Sequence, residues 1–383
     1  MKKQRRLPGR LLIFAALLCR LPWQWLRRRP AEEAVQRILV LHQFLLGDAL
    51  MATSLLAKLR ERYPAAEIIL ACPQGQVGLY QSRPYGITAV GWHPRDFASV
   101  RKLFAMPRFD LAFLCGENRL SFLARAIGAH WIIGFAAEAP AYKNWLVDEA
   151  VAYSDQPESW TDTAARLVAG PDPKPFSLVD WPLEAVNLPV FGQTYVVLHV
   201  GASSPTRYWP AANWRELAAY LRARALTVVW SCGPGEERLL DEIRPEPDDV
   251  TMAGSLSLVQ LRALLHGARA AVCPDTGVAH LAKIAAAPQV MLFGPGSETL
   301  FGASRFFSAT PCIGVGAAWF PCRIQRDMHY RQTEWVMRCY RTVGDKPEQC
   351  HKPQCMAVVQ PSMVLQALVQ LLPEENEFNE QDI

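Results

Sequence analysis

The residues best suited to chemistry lie in one stretch, Val272 to Pro295, VCPDTGVAHLAKIAAAPQVMLFGP. An apolar run enters Cys273, the tetrad Asp275, Thr276, Gly277 and Val278 breaks it, and a helical pattern from about Ala279 leads to a second apolar run ending at Gly294. This reads as strand, turn, helix, strand. A helix that starts just after a strand directs its uncapped N–H groups and positive dipole end beyond the strand's carboxyl end. Phosphate is the usual occupant of such a place. Gly277 permits close backbone approach, Thr276 and Asp275 have capping or accepting side chains, and His280 falls in the helix's first turn. A nucleotide site fits these residues, and the plainer reading is an N-capping turn of an ordinary α/β protein.

Three more loops carry similar potential, because ligands of open α/β sheets bind beyond the carboxyl ends of the strands. Gly47-Asp48 places a carboxylate at a helix start, directly after the first apolar run; an N-cap is its simplest role. Gly201-Ala202-Ser203-Ser204-Pro205-Thr206-Arg207 combines small residues, hydroxyls and one cation. Backbone N–H groups, the hydroxyls of Ser203 and Ser204, and an Arg207 clamp would suit a diphosphate. In Cys232-Gly233-Pro234-Gly235-Glu236-Glu237, a glutamate would accept hydrogen bonds from ribose hydroxyls, although an acidic first helical turn needs no ligand.

The elements that must position these loops are legible as alternating strands and helices. RILVLHQ from Arg37, EIILACP (67–73), AVGW (89–92), FDLAFLCG (109–116) and WIIGF (131–135) read as buried strands, with a helix running from the Gly47-Asp48 loop to Tyr63-Pro64. A second series follows: YVVLHVG (195–201), a helix at 211–225, TVVWSCG (227–233), a helix at 236–243, VTMAG (250–254), a helix at 258–265, AAVCP (270–274) and QVMLFGP (289–295). Such alternation predicts α/β architecture, two Rossmann-like domains in tandem. The expected division is a basic apolar leader at 1–36, an N-terminal domain at 37–180, a proline-rich linker at 181–193 and a C-terminal domain at 194–372. Within the last, residues 311–356 read as irregular and cysteine-rich, Val364 to Leu372 as a closing amphipathic helix, and 373–383 as a disordered acidic tail.

The chain has 383 residues, half of them apolar and a fifth charged, as a globular protein does. Its net charge of +4 is unevenly spread: residues 1–30 hold nine basic groups and no acid, so the remainder carries −5. That leaves no general basic surface for nucleic acid. The leader's apolar run, Leu11 to Cys19, is interrupted by Arg20 and Pro22 and falls short of the ~20 residues a spanning helix needs. No small-residue cleavage site follows it. It reads as an interfacial segment whose apolar and tryptophan residues meet the headgroup boundary while its arginines meet anionic lipid. The ten cysteines lack the density of a secreted disulfide scaffold, so a reduced cytosolic setting is expected. Cys322, Cys339, Cys350 and Cys355 are separated by 16, 10 and 4 residues, a set that would either hold a structural Zn or Fe or remain as buried thiols.

The order of the loops is more specific than any one of them. His199-x-Gly201-Ala202-Ser203, Trp209-Pro210, the glycine loop with its glutamates, Ala253-Gly254, Asp275-Thr276-Gly277-x-x-His280-Leu281 and Leu292-Phe293-Gly294-Pro295 together resemble glycosyltransferase family 9, the ADP-heptose lipopolysaccharide heptosyltransferases. Leu46-Gly47-Asp48 resembles that family's N-terminal signature, and the likeness runs from about Arg37 to Leu372. Two departures stand out: Gln43-Phe44-Leu45 replaces small or hydroxylated residues before L-G-D, and Arg207 stands where a lysine is common.

The resemblance implies a GT-B fold, two Rossmann-like domains facing across a cleft, with the acceptor on the first and the nucleotide sugar on the second. It implies Asp48 as catalytic base in an inverting transfer of heptose from ADP-heptose to a lipid-anchored lipopolysaccharide core. No metal cofactor is required for transfer, so Ser203, Ser204, Arg207 and the N–H groups of Thr276 to Val278 would meet the leaving charge. Glu236 or Glu237 would hold the ribose, and His280 would lie by the phosphates or sugar. Some autotransporter heptosyltransferases of the wider group carry cysteine-bound iron. The expected place of work is cytoplasmic, peripheral on the anionic inner face of the inner membrane. The alternatives are the same fold with another nucleotide sugar or a protein acceptor, and a non-catalytic nucleotide-sugar-binding subunit.

Overall fold

The computed structural model describes residues 7–20, 28–189 and 194–372. Two compact units emerge, each built on one six-stranded parallel sheet. The first sheet comprises β1 (Arg37–Leu41), β2 (Glu67–Cys72), β3 (Thr88–Gly91), β4 (Leu111–Leu114), β5 (Trp131–Phe135) and β6 (Glu149–Val151), in spatial order β3-β2-β1-β4-β5-β6. The second comprises β7 (Tyr195–His199), β8 (Thr227–Cys232), β9 (Val250–Ala253), β10 (Ala270–Pro274), β11 (Gln289–Phe293) and β12 (Cys312–Gly316), in order β12-β11-β10-β7-β8-β9. Each sheet therefore starts in its middle, grows to one edge, then returns and grows to the other, the doubly wound order of dinucleotide-binding folds. Register is in phase across the centres, with Ile38 opposite Ile68 and Leu111, and Val196 opposite Val228 and Ala270.

Burial explains why these segments are strands. Ile38 to Leu41 and Val196 to Leu198 are almost wholly excluded from water, so both faces of the central strands are covered and the sequence reads as unbroken apolar runs. In the second unit Trp209, Trp214 and Trp230 pack edge to face, at centroid separations of 4.8 and 6.3 Å, beneath the closing helix Pro361–Leu371.

Several expected boundaries move. The helix after β1 is two, Leu46–Met51 and Thr53–Arg62, because Thr53 Oγ1 returns to the Leu50 carbonyl at 2.6 Å and competes with the backbone ladder. Residues 311–356 are not irregular throughout: Cys312–Gly316 extends the second sheet along β11. The short edge strand β6 carried no sequence signal, since its three residues have neither apolar run nor alternation. The unit boundary also lies elsewhere than expected: of the described residues, 175–189, 194–326 and 335–372 fall in the second unit together with 157–160. Trp181, at the start of the expected linker, is buried, and the Arg262 guanidinium sits over its ring and donates to the carbonyls of Trp181 and Pro182. Residues 190–193 of that linker and the tail 373–383 lie outside the described residues.

Part of the leader is a packed element of the first unit. Leu7–Arg20 forms a helix whose Leu17 is buried with Ala126 and Leu146, and whose Ile13 packs against the core around Val100 and Leu123. Leu11, Phe14 and Leu18 remain 58–74% exposed on its other side. Among the described residues no helix is long and apolar enough to cross a membrane.

A hairpin from the C-terminal half of the chain, β13 (Asp327–Met328) and β14 (Arg331–Gln332), belongs to the first unit. Its Arg331 is 1% exposed and donates to the carbonyls of Gly116 (2.8 Å), Phe135 (3.0 Å) and Ala136 (2.9 Å). Glu138 lies 3.5 Å from its guanidinium, is itself buried, pairs with Lys143 at 2.8 Å and accepts from the Asn118 amide. Removing the cation leaves that buried carboxylate with Lys143 alone for a cation and unpairs three carbonyls, so Arg331→Met should cost ~3–5 kcal/mol of stability. Urea unfolding of the variant beside the parent protein measures it, and a loss below ~1 kcal/mol would show the network to be dispensable.

Candidate functional site

In both sheets the strand order reverses between the first strand and the fourth, β1 beside β4 and β7 beside β10. The two chain segments leaving such a pair diverge to opposite sides, and the crevice between them is where doubly wound proteins bind ligands. Each expected catalytic or donor-binding residue is placed by one of these loops, by the loop after β8, or by the helix that such a loop opens; the four cysteines lie apart, after β12.

In the second unit the crevice is closed by a direct link. Arg207, in the loop after β7, donates through Nη1 to the Asp275 carbonyl at 2.6 Å, and its Nη2 lies 3.9 Å from Asp275 Oδ2. Asp275 and Thr276 follow β10, and Thr276 caps the helix Gly277–Ile284 by accepting from the Val278 amide at 3.0 Å. The helix thus begins two residues earlier than the apolar pattern indicates, at Gly277. Asp275 is 4% exposed, yet its Oδ2 accepts no hydrogen bond among the described residues. A side chain at Gly296 would run into that oxygen at 2.1 Å, so the loop after β11 packs its bare backbone on the carboxylate. His280, 3% exposed, likewise leaves Nδ1 without a partner among the described residues. Buried polar atoms are usually hydrogen-bonded, and these two at one helix start have no hydrogen-bond partner among the described residues.

The remaining loops arrange acceptors. Glu236 curls back to accept from the Gly233 amide at 2.8 Å and lies so close to Gly201 that a Cβ there would meet Oε2 at 1.9 Å. Gly201 is thus required by the approach of the loops after β7 and β8. Glu237 accepts from the Gly235 amide at 3.0 Å, which lowers its pKa and keeps it charged. Ser203 is exposed, and Ser204 shares a 2.8 Å hydrogen bond with Thr206.

In the first unit Asp48 lies half-buried in the first turn of Leu46–Met51, near enough to Cys115, just after β4, that its charge adds to burial in raising that thiol's pKa. The loop before it is held by aromatic contacts: Phe44 stacks on His42 and approaches His329, at centroid distances of 5.0 and 5.1 Å. Phe44 also crowds Gly116, where a Cβ would meet its ring at 2.3 Å. Sequence reasoning missed this side of the site. Gly116, Asn118, Glu138 and Arg331 fix the loop after β4, and the available signal was the polar Gly116-Glu117-Asn118 that ends an apolar run.

The four cysteines draw together in the second unit. Cys322 and Cys339 share a hydrogen bond, and the Cys355 thiol, raised to about 11 by burial, also feels Cys322, Cys350 and Cys339. Among the described residues, however, no three His, Cys, Asp or Glu side chains are disposed to hold a metal ion. His351 turns away into an exposed 2.6 Å contact with Asp345.

The model of glycosyltransferase family 9 (heptosyltransferase) matches residues 100–312, more than half of the chain. The chain belongs to glycosyltransferase family 9. Lipopolysaccharide heptosyltransferase 1 of Pseudomonas aeruginosa is 31% identical over 167 residues, which cover 41% of this chain and 47% of that protein. The family 9 chain spans 34–47% of the length of the heptosyltransferases 1 it matches. In fold it is similar to ADP-heptose lipopolysaccharide heptosyltransferase II of Escherichia coli, with a TM-score of 0.61 at 18% identity over 88% of this chain and 98% of the other. It is also similar to the iron-containing dodecameric glycosyltransferase TibC of enterotoxigenic Escherichia coli, with a TM-score of 0.57 at 12% identity over 90% and 80% of the two chains. These likenesses establish the GT-B class for this family 9 chain, two Rossmann-like units on one polypeptide.

Buried histidines give the family 9 chain a defined acid response. Desolvation holds His42 down to about 3 and His199 to about 4, and His280 lies well below its ordinary value through burial, then Lys283 and Arg207. All three are neutral in the fold, whereas an unfolded chain protonates them near ~6.5. The unfolded state then binds more protons, so stability present above ~6.5 is lost as pH falls toward the folded values, by up to ~1.4 kcal/mol per pH unit for each histidine. His199→Gln should flatten that fall between about pH 6.5 and 4.5 in urea unfolding, and an unchanged slope would remove His199 from the response.

Proposed function

We propose that this chain transfers a heptose from ADP-heptose to the core of a lipid-anchored lipopolysaccharide acceptor, inverting the anomeric carbon. The observation that carries the reading is the pair of buried, unpartnered atoms Asp275 Oδ2 and His280 Nδ1 at the start of Gly277–Ile284, linked to the loop after β7 through Arg207. The names of its relatives support the sugar and the acceptor.

In this mechanism Asp48 removes the proton of an acceptor hydroxyl while that oxygen bonds to the anomeric carbon. The bond from the anomeric carbon to the diphosphate oxygen breaks on the opposite face, and ADP leaves with the bonding pair. Arg207, the Ser203 and Ser204 hydroxyls and the N–H groups of Thr276 to Val278 meet the developing charge. Glu236 and Glu237 each use one oxygen on their own loop, and a second carboxylate oxygen is available to ribose hydroxyls. Neutral His280 supplies a ring nitrogen to a phosphate or sugar hydroxyl.

The chain works in this reading at the inner face of the inner membrane, with the exposed Leu11, Phe14 and Leu18 of the leader helix toward lipid. The basic groups before Leu7 and the tryptophans at 23 and 25 lie outside the described residues. The expected structural Zn or Fe at the cysteines finds no set of three ligands to hold it among the described residues, so in this reading Cys322, Cys339, Cys350 and Cys355 are free thiols with no part in transfer. Elemental analysis of protein purified without added metal should find only substoichiometric Zn and Fe. About one Zn or Fe per chain would restore a structural metal at these cysteines.

Thermal-shift titration with ADP, UDP, GDP and CMP, then ADP-heptose, tests the donor. Selective stabilisation by ADP and ADP-heptose is expected. Preference for another nucleotide would replace the sugar assignment, and binding of none would favour a non-catalytic chain. Asp48→Asn should lower transfer ~10²–10⁴-fold with ADP binding unchanged, and wild-type turnover by the variant would remove Asp48 from the mechanism.

A further inference from the structure

The leader helix Leu7–Arg20 lies outside the stretch matched by the family model, yet it walls a pocket of the first unit. The pocket has a volume of about 450 Å³, within the ~300–1,000 Å³ usual for ligand sites. Its apolar lining comes from both sides: Ile13 and Phe14 from the leader, Trp92, Phe122 and Leu123 from the body of the unit. Its cations are Arg10 on the leader and Arg119 opposite, the latter paired with Glu117 at 2.5 Å.

Two features say what would occupy it. Phe14 both lines the pocket and belongs, with Leu11 and Leu18, to the exposed apolar side of the helix, so the cavity is continuous with the surface suited to lipid. Gln43, five residues before Asp48 in sequence, is another lining residue, and its Nε2 donates to the Trp92 carbonyl at 3.2 Å. The same pocket therefore reaches the loop that presents Asp48. A largely apolar cavity with two guanidinium groups and the Glu117 carboxylate, continuous with the exposed apolar side of the leader helix and lined by Gln43 of the loop before Asp48, complements an acyl chain joined to a phosphorylated sugar whose phosphate competes with Glu117 for Arg119.

We propose that this pocket takes the acylated, phosphorylated end of the acceptor, its acyl chain between Phe14 and Phe122 and its phosphate at Arg10 and Arg119. The inference rests on the acceptor class proposed above. It also accounts for Gln43-Phe44-Leu45 before L-G-D: Gln43 builds the pocket wall and Phe44 packs the loop against Gly116. Phe14 is 58% exposed, so its replacement leaves the fold intact.

The test uses the full chain and two readouts. In the first, dibrominated lysophosphatidic acid, kept below its micelle concentration, is titrated while tryptophan emission is followed. Saturable quenching is expected, weakened about five-fold or more in Phe14→Asp and in the double variant Arg10→Glu, Arg119→Glu, because each removes one half of the complementarity. In the second, KM for the intact acceptor should rise about five-fold or more in Phe14→Asp, while KM for its deacylated form and for the nucleotide sugar stays unchanged. Unsaturable quenching equal in all variants, or equal loss with both acceptors, overturns the pocket. Saturable, Phe14-dependent binding by a protein that transfers no sugar would uphold the lipid pocket and sink the transfer reading; transfer indifferent to acylation would do the reverse.

Discussion

The chemistry of this chain depends on where each parallel sheet reverses its strand order. Because crossover connections in parallel sheets are right-handed, a chain that begins in the middle of a sheet must send its helices to opposite faces as it grows first one way and then the other. The loops leaving the first and fourth strands part at that point, and no helix covers the gap. Gly47-Asp48 and Gly116-Glu117 occupy it in the first unit, Ser203 to Arg207 and Asp275 to Gly277 in the second. An apolar seal would be the simplest way to close such a gap. The chain instead puts polar groups there, and among the described residues Asp275 Oδ2 and His280 Nδ1 have no hydrogen-bond partner, a cost of ~1–3 kcal/mol for such a buried group.

Glycine and arginine do complementary work around these gaps. Gly201, Gly296 and Gly116 stand where a Cβ would collide with Glu236, Asp275 and Phe44, so backbone and functional side chain meet at distances only glycine allows. Arg207 and Arg331 then tie the loops: Arg207 donates to the Asp275 carbonyl, Arg331 gathers those of Gly116, Phe135 and Ala136, and each lies beside a buried carboxylate. Lysine, a point donor on a flexible stem, has no planar fork to span several carbonyls.

The leader shows how a segment of modest hydropathy acquires two roles. Its helix is too short to span a bilayer, but Leu17 and Ile13 anchor one side on the first unit while Leu11, Phe14 and Leu18 face out. A helix that packed on one side and presented polar groups on the other would be an ordinary surface helix. This one is apolar on both, and the basic residues Arg10 and Arg20 sit at its two ends.

Sequence alone determined the fold class, ten of the twelve strands of the two parallel sheets and the loops that carry Asp48, Arg207, Glu236 and Asp275, because buried parallel strands are continuous apolar runs and the turns that end them carry the polar groups. It did so less well where the signal is short or depends on distant partners. β6 and β12 are edge strands held by one neighbour, too brief or too mixed in composition to announce themselves. Trp181 looked like linker because burial beneath Arg262 is a long-range fact. Only the tertiary structure decided that Arg331, 215 positions from Gly116 in sequence, fixes the loop opposite Asp48, and that four irregularly spaced cysteines share one neighbourhood. Periodicity reports which face of an element is buried; which remote side chain satisfies a buried carbonyl or thiol is settled when the chain closes on itself.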